Sequence, residues 1–453
     1  MKEEFRILSA TAILGYGFPK ESFEEGMKRR PHLIAVDAGS SDPGPYYLGA
    51  GVSFTDRDAV KRDLEIMISA GIKQNIPVVI GTAGGSGGEP HLSWCREIIE
   101  EIAQENDLHF KLAVIHAEFS KDEIKAALAA GKVHPLDPAP QLTTEEIDKT
   151  TRIAAQMGME PFIKALDGGA QVVLAGRAYD PSVFAAPAVR AGCDKGLAIH
   201  LGKILECASI CATPGSGSDC MFGYIGDDYF RVEPLSPVRK CTTLSVAAHT
   251  LYEKTNPYIL PGPGGHLDLT HTQFVQETEN TVKVSGSKFV PSDKYTVKLE
   301  GAKCIGYRTV SVAGTRDPIM VSKIDDIIAG VRERVADNFR DKDWNYYLHF
   351  NIYGRDGVMA ALEPLKNALA PHELGIVIEA VADTQQQANT ICASARSTML
   401  HYGYEGRRAT AGNLAFPYSP SDFHAGEVYV FSVYHIIEVD DPAQPFPIDY
   451  VEL

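Results

Sequence analysis

The chain has 453 residues, too many for one hydrophobic core and enough for about three folding units. Hydrophobic residues make up 44% and charged residues 23%, while the formal net charge of −16 argues against a nucleic-acid or anionic-membrane partner, since both require clustered lysine and arginine. The same charge leaves room for a small anionic substrate, which needs only a few local cations and backbone N–H groups.

The opening MKEEFRILSA lacks the apolar stretch of a signal peptide, and no run approaches the roughly 18 apolar residues of a membrane-spanning helix. Residues 1–195 alternate strand and helix. FRILSATAI reads as a strand ending at Gly15-Tyr-Gly17, and a charged helix follows over Glu21–Arg30. HLIAVDAG, IPVVIGTAGG, FKLAVIHAE and AQVVLAGR are further strands. Helices are predicted over Asp56–Ala70, His91–Asn106 and Lys121–Ala130, a single long one over Thr144–Leu166, and a last one over Pro181–Ala191. The cores LIAV, PVVI, LAVI and VVLA are apolar on consecutive residues, which suits strands covered on both faces. A three-layer, doubly wound parallel α/β domain is expected, with an incomplete barrel as the alternative.

Residues 196–295 are dense in Gly and Pro with weak periodicity, and read as a loop-rich extension that completes the site. Over 296–453 the order is a strand (AKCIGYRTVSVAG), a helix (Lys323–Asp337), two strands (WNYYLHFNIYG and ELGIVIEAVAD), a helix (Thr384–Leu400) and a last strand (EVYVFSVYHIIEV). That β-α-β-β-α-β order predicts a C-terminal ferredoxin-like α+β domain. Eight cysteines are scattered without a CxxC pair, which predicts reduced thiols in a cytoplasmic protein.

Ligands of open α/β sheets bind outside the carboxyl ends of the strands. Four predicted strand ends carry polar residues there: Asp37 to Asp42, Gly81 to His91, His116 with Glu118, and Arg177 with Asp180. Gly81, Gly84, Gly85, Gly87 and Gly88, with Ser86 among them, offer backbone N–H groups and close approach to an anion; a tight turn without a ligand is the plain alternative. No Gly-Lys-Ser/Thr and no clean GxGxxG occurs, so neither a nucleoside triphosphate nor NAD is indicated. Asp37 and Asp42 suit acid/base work, a divalent cation, or Asx turns. Arg177 suits a bidentate clamp on a substrate carboxylate, or a structural pair with Asp180. His200, Lys203, Glu206 and Cys207 follow on a helix; Glu206 reads as an acid/base or structural carboxyl, with a divalent metal left open because no HExxH or cysteine pair specifies one. Cys207 and Cys211 read first as small buried hydrophobes, and His266, Asp268 and His271 first as loop residues.

ALDGGAQVVLAGRAYDPSVF, LGKILECASI and LYEKTNPYILPGPGGHLDLT, followed by VAGTRDP, HYGYEGRRATAGNLAFPYSPSD and GEVYVFSVYHIIEV, resemble the acyclic terpene utilisation (AtuA-like) family over nearly the whole chain. The resemblance implies an α/β N-terminal region, a ferredoxin-like C-terminal region, and a setting in which branched isoprenoid acids are degraded as CoA thioesters. Its motif blocks fall on Gly168–Pro181, Leu205–Cys207 and Tyr252–Asp268. Two departures are Gly81-Thr-Ala-Gly-Gly85, where the family has Asn-Ala-Gly-Gly, and His266.

The expectation is an enzyme acting on a small carboxylic acid or its CoA thioester by proton abstraction next to a carbonyl, as a hydratase/lyase or isomerase. Asp37, Asp180 or Glu206 would be the base; the Gly81–Gly88 amides, Lys203 and Arg177 would hold the anionic groups. The alternative is a non-catalytic partner or binding subunit of a multi-subunit acyl-CoA or carboxylate-metabolising complex. A homo-oligomer of even symmetry is expected in either case.

Overall fold

The computed structural model describes residues 3–366, 368, 370–408 and 410–453. The fold is mixed α/β, and the chain divides into two compact units, Met1–Lys303 with Phe431–Leu453, and Cys304–Val430.

In the first unit five strands run parallel, in the order Phe5–Ser9, Leu33–Asp37, Val78–Gly81, Val172–Ala175, Lys111–Ile115. Their side chains alternate between two cores. Ile7, Leu33, Ala35, Val79 and Val173 face one, with the helices Glu160–Asp167, Asp180–Arg190 and Lys195–Leu205 packed over it. Leu8, Ile34, Val36, Val78, Ile80 and Leu174 face the other, beneath the helices Lys20–Lys28, Arg57–Gln74 and Glu89–Glu105. Burial on both faces is why these strands read as unbroken apolar runs.

Antiparallel strands extend both sides of the parallel five. Residues 196–295 supply Met221–Ile225, Tyr229–Pro234, Val282–Ser285 and Gln273–Gln276 on one side, and a further strand, Ile448–Glu452, pairs with Lys111–Ile115 on the other. The long helix expected over Thr144–Leu166 is not formed. A short helix, Thr144–Lys149, stops at the β-branched pair Thr150-Thr151; Arg152–Ala155 is a strand paired with Leu299–Ala302; and Glu160–Asp167 starts a new helix with Pro161 in its first turn.

In the second unit the strand order is Tyr346–Tyr353, Leu374–Ala382, Thr296–Thr315, Asp422–Glu438, of which the last two also extend into the first unit. Helices Ile324–Asn338 and Gln385–Leu400 bury Ile327, Val331, Ile391 and Ala395 against Ile376 and Ile378.

The glycine-rich loop joins three strand ends. It is buried throughout, and a Cβ on Gly87 would lie 2.2 Å from the Arg177 nitrogen, while one on Gly39 would lie 2.3 Å from the Gly85 Cα. The Arg177 N–H donates to the Gly87 carbonyl at 3.1 Å, and the Thr82 N–H to the Gly176 carbonyl at 3.1 Å. Gly87 also has φ +68°. Gly87→Ala therefore combines left-handed strain with backbone collision and should lower unfolding free energy by more than about 3 kcal/mol. Gly169, at φ +83° with nothing within 4 Å of a built Cβ, is the control. Its alanine variant carries strain alone, about 1 kcal/mol, in the same urea titration.

Candidate active site

Asp37 ends the strand Leu33–Asp37, Asp180 opens the helix Asp180–Arg190, and Glu206 caps the helix Lys195–Leu205. The three carboxyl groups line one cavity of about 840 Å³, shared with Asp42, His249, Tyr252 and Glu253. Asp37 and Glu206 are buried, at 5% and 4% exposure, whereas the Asp180 side chain keeps 26% open to the cavity.

Arg177 does not reach this cavity as a free cation. Its Nε donates to Glu300 Oε2 at 2.8 Å and its Nη1 to Asp180 Oδ1 at 3.2 Å. Glu300 also accepts from Lys298 at 2.7 Å and from the Ser41 hydroxyl at 2.8 Å. Burial alone would raise the Glu300 carboxyl, but Arg177 and Lys298 outweigh it and hold it at about 2. Lys203 is similarly held: its Nζ donates to Glu206 Oε1 at 2.5 Å and Glu253 Oε2 at 3.2 Å, and lies 4.3 Å from the Tyr252 ring centroid.

The glycine loop adjoins the end of the strand that carries Asp37, where Gly81 pairs with Asp37, but it does not enter the cavity. None of Gly81, Gly84, Gly85, Ser86, Gly87 and Gly88 lines the cavity. The N–H groups of Gly85 and Gly87 bond within the turn, to the Thr82 and Ala83 carbonyls. The following helix N-terminus already holds an internal carboxylate, with the Glu89 N–H donating to Glu118 Oε2 at 2.8 Å. His116 bridges Glu89 and Asp449, at 3.0 and 3.1 Å. These crests are occupied by the protein's own groups.

Of the remaining candidates, His200 is fully buried between Ser287 and Thr250, and burial pulls its imidazole down to about 3. The Cys207 thiol faces the cavity, 2.8 Å from the Tyr252 hydroxyl, but burial and Glu206 push its ionisation up, away from a thiolate. Cys211 is buried. Asp268 accepts from the Thr270 N–H at 2.8 Å in an Asx turn, and His266 lines a separate small pocket beside Tyr179 and Tyr295. Cys95, Cys220, Cys241 and Cys392 are buried thiols, and Cys304 is exposed. Among the described residues no group of three or more His, Cys, Asp or Glu is placed to hold a metal ion, and no helix is long and apolar enough to cross a membrane.

The family model for acyclic terpene utilisation proteins (AtuA) matches residues 56–218 and 239–423. The chain belongs to this family. No curated protein and no solved structure matches it. In this AtuA-family chain the matched spans include Arg177, Asp180, Lys203, Glu206, His249 and Glu300, and leave Asp37 outside.

Three crowded carboxyl groups cannot all ionise freely. Burial, with Asp180 and Glu206 nearby, pushes Asp37 well above the carboxylate range. Burial pushes Glu206 to about 8, against the pull of Lys203 and with the help of Asp180. Asp180 is also raised by burial, but Arg177 and Lys203 both work to lower it. Such a site holds protons on some carboxyls while another takes one, which is acid/base equipment.

Sequence reading missed Glu300 and His249. In TVKLEGAKC, Lys298 and Glu300 alternate with Val297 and Leu299 and look like the wet face of a strand. His249 sits in an unremarked helix, Thr243–Leu251.

Removing the Arg177 guanidinium strands Glu300 without its main partner. Arg177→Ala should cost about 3–5 kcal/mol in unfolding free energy, whereas Arg177→Ala with Glu300→Gln should recover part of it. Linkage at Glu206 supplies a second prediction. Its carboxyl holds a proton in the folded state up to about 8, but in the unfolded chain only to about 4.3. The folded state therefore binds more protons between those limits, so stability is greatest below the unfolded value and falls as pH rises toward 8. Glu206→Gln should flatten that fall in melting temperatures measured from pH 5 to pH 8.

Proposed function

We propose that the chain is an enzyme that transfers a proton next to the carbonyl of a small carboxylic acid or its CoA thioester, as a hydratase/lyase or isomerase. The observation that carries this reading is the convergence of Asp37, Asp180 and Glu206 on one cavity, with environments that pull their proton affinities apart. Asp180, raised by burial but hydrogen-bonded to Arg177 and lowered by both Arg177 and Lys203, is the base that takes the proton from carbon. Glu206 carries a proton at neutral pH and gives it to the carbonyl oxygen as the enol forms. Asp37, raised by burial and by Asp180 and Glu206, is a second carboxyl that in its protonated form donates a hydrogen bond to that oxygen. A neutral carboxylic acid in a low-dielectric wall stabilises a developing oxyanion without a compensating charge. As the carbonyl re-forms, the enol O–H returns its proton to Glu206: delivery of the Asp180 proton to the γ-carbon of an unsaturated acyl chain gives the isomer, whereas passage of the recovered Glu206 proton to a β-hydroxyl that leaves as water gives the dehydrated product, and the proton left on Asp180 then restores Glu206. Apolar residues of the cavity, Ala12, Ile13, Ile210 and Ala248, suit a hydrocarbon chain.

We place this chemistry on a three-layer parallel α/β unit. We read the second unit as ferredoxin-like, on the support of its strand order and its two helices packed on one sheet face.

A second reading, as a binding subunit that also self-associates, is favoured by one surface. Val358, Met359, Leu362 and Leu365 are exposed close together in sequence in the second unit. Light scattering should then show a dimer or larger even assembly that Leu362→Glu weakens; a monomer at micromolar concentration removes this reading.

For the enzyme reading, the measurement is deuterium uptake at the carbon next to the carbonyl in D₂O, across short acids and acyl-CoA thioesters. Asp180→Asn and Glu206→Gln should each slow uptake by about 10²–10⁴-fold while the far-ultraviolet circular dichroism is retained. Wild-type exchange in a folded Asp180→Asn variant would remove Asp180 as the base.

A further inference from the structure

Five carboxyl groups line the cavity: Asp37, Asp42, Asp180, Glu206 and Glu253. No lysine or arginine lines the cavity; behind it Lys203 is paired with Glu206 and Glu253 and Arg177 with Glu300 and Asp180, while the buried Lys254 Nζ has no hydrogen-bond partner among the described residues, and burial and the Lys203 ammonium pull it down to about 8. A free carboxylate placed here would meet the lining carboxyl groups with no lysine or arginine in the cavity wall to receive it. Two buried polar atoms of the cavity-lining residues have no hydrogen-bond partner among the described residues: Glu206 Oε2 and His249 Nε2. Glu206 is 4% exposed and His249 is 7% exposed, so water does not substitute freely for a partner. The His249 ring is held by stacking on Tyr252, with ring centroids 4.6 Å apart. Burial and the Lys203 ammonium pull its imidazole down to about 4, so it is neutral at physiological pH. Its Nε2 is then a hydrogen-bond donor or acceptor that brings no charge.

We propose that Glu206 and His249 form a subsite for an uncharged oxygen function, a carbonyl or a hydroxyl, so that the cavity accepts an acyl group whose carboxyl is masked as an ester or thioester and rejects the free carboxylate. This deepens the proton-transfer reading above and rests on it. His249 is a specificity-determining residue that contacts the substrate oxygen, and the crowded acids supply the repulsive half of the discrimination.

The test pairs S-ethyl thiobutyrate with butyrate, on full-length protein carrying ¹⁵N-histidine. The His249 imidazole signals are assigned by their loss in His249→Phe, a variant that keeps a ring against Tyr252. The thioester should shift the His249 nitrogen resonances saturably, and butyrate at the same concentration should not. Thioester affinity should fall about tenfold in His249→Phe, the worth of one hydrogen bond, and return in part in His249→Gln. Butyrate binding as tightly as the thioester, unchanged thioester affinity in His249→Phe, or no binding of either probe would overturn the subsite. Deuterium uptake next to the carbonyl, read in the same samples, separates the two ideas. A thioester that seats at His249 without exchange removes the proton-transfer reading and leaves the subsite; butyrate that exchanges as fast as the thioester keeps proton transfer and overturns the subsite.

Discussion

A guanidinium at 3% exposure has to be neutralised from inside the protein, and around Arg177 that requirement organises the site. Glu300 meets it from one side and Asp180 from the other, while the Arg177 N–H is bound to the glycine loop. One side chain thus ties together the end of the strand Val172–Ala175, the start of the helix after it, and a strand more than a hundred residues later. The partners are ranked by geometry. Glu300 is buried and doubly paired and stays ionised; Asp180 has a single longer contact and an open edge, and retains the freedom to exchange a proton.

The cavity repeats this logic with a different balance. Lys203 is one ammonium set against Glu206 and Glu253, with Asp180 and Asp37 near enough to be felt. Lys203, with Arg177 shared between Asp180 and Glu300, does not offset the burial of the carboxyls with least access to water, so Asp37 and Glu206 are both raised, Glu206 to about 8. The excess of acids over cations therefore raises these carboxyl groups, and a carboxylic acid that keeps its proton can donate a hydrogen bond. A cavity built to hold an anion would show the opposite imbalance.

Much of the first unit's sheet was legible because its strands are buried on both faces: LIAV and VVLA have no other economical reading. The carboxyl groups Asp37, Asp180 and Glu206 could be named because each follows a strand or helix end, where polar residues after an apolar run stand out. What could not be read depends on partners distant in sequence. Arg152–Ala155 is a strand because Leu299–Ala302 pairs with it; without that partner, its apolar and alanine-rich residues look helical. Ile448–Glu452 carries two acids in five residues and becomes a strand only beside Lys111–Ile115. Glu300 alternates with apolar neighbours as a solvent-facing residue does, and only Arg177 makes it internal.

The glycines carry a local signal that admits two causes, a ligand or the chain itself. Glycine after a strand does mean that something approaches the backbone closely, and here the approaching groups are other parts of the backbone: Arg177 against Gly87, and Gly39 against Gly85. The N–H groups of Gly85 and Gly87 are bonded to turn carbonyls, and the Glu89 N–H at the helix end to Glu118. Yet the loop still matters to the cavity. If a side chain forced the end of Leu33–Asp37 away from the Gly176–Arg177 segment, Asp37 would leave the field of Asp180 and Glu206 and lose the company that keeps it protonated. Close backbone packing is thus what converts three separate strand and helix ends into one coupled set of carboxyl groups, and the glycines serve the acids by being small.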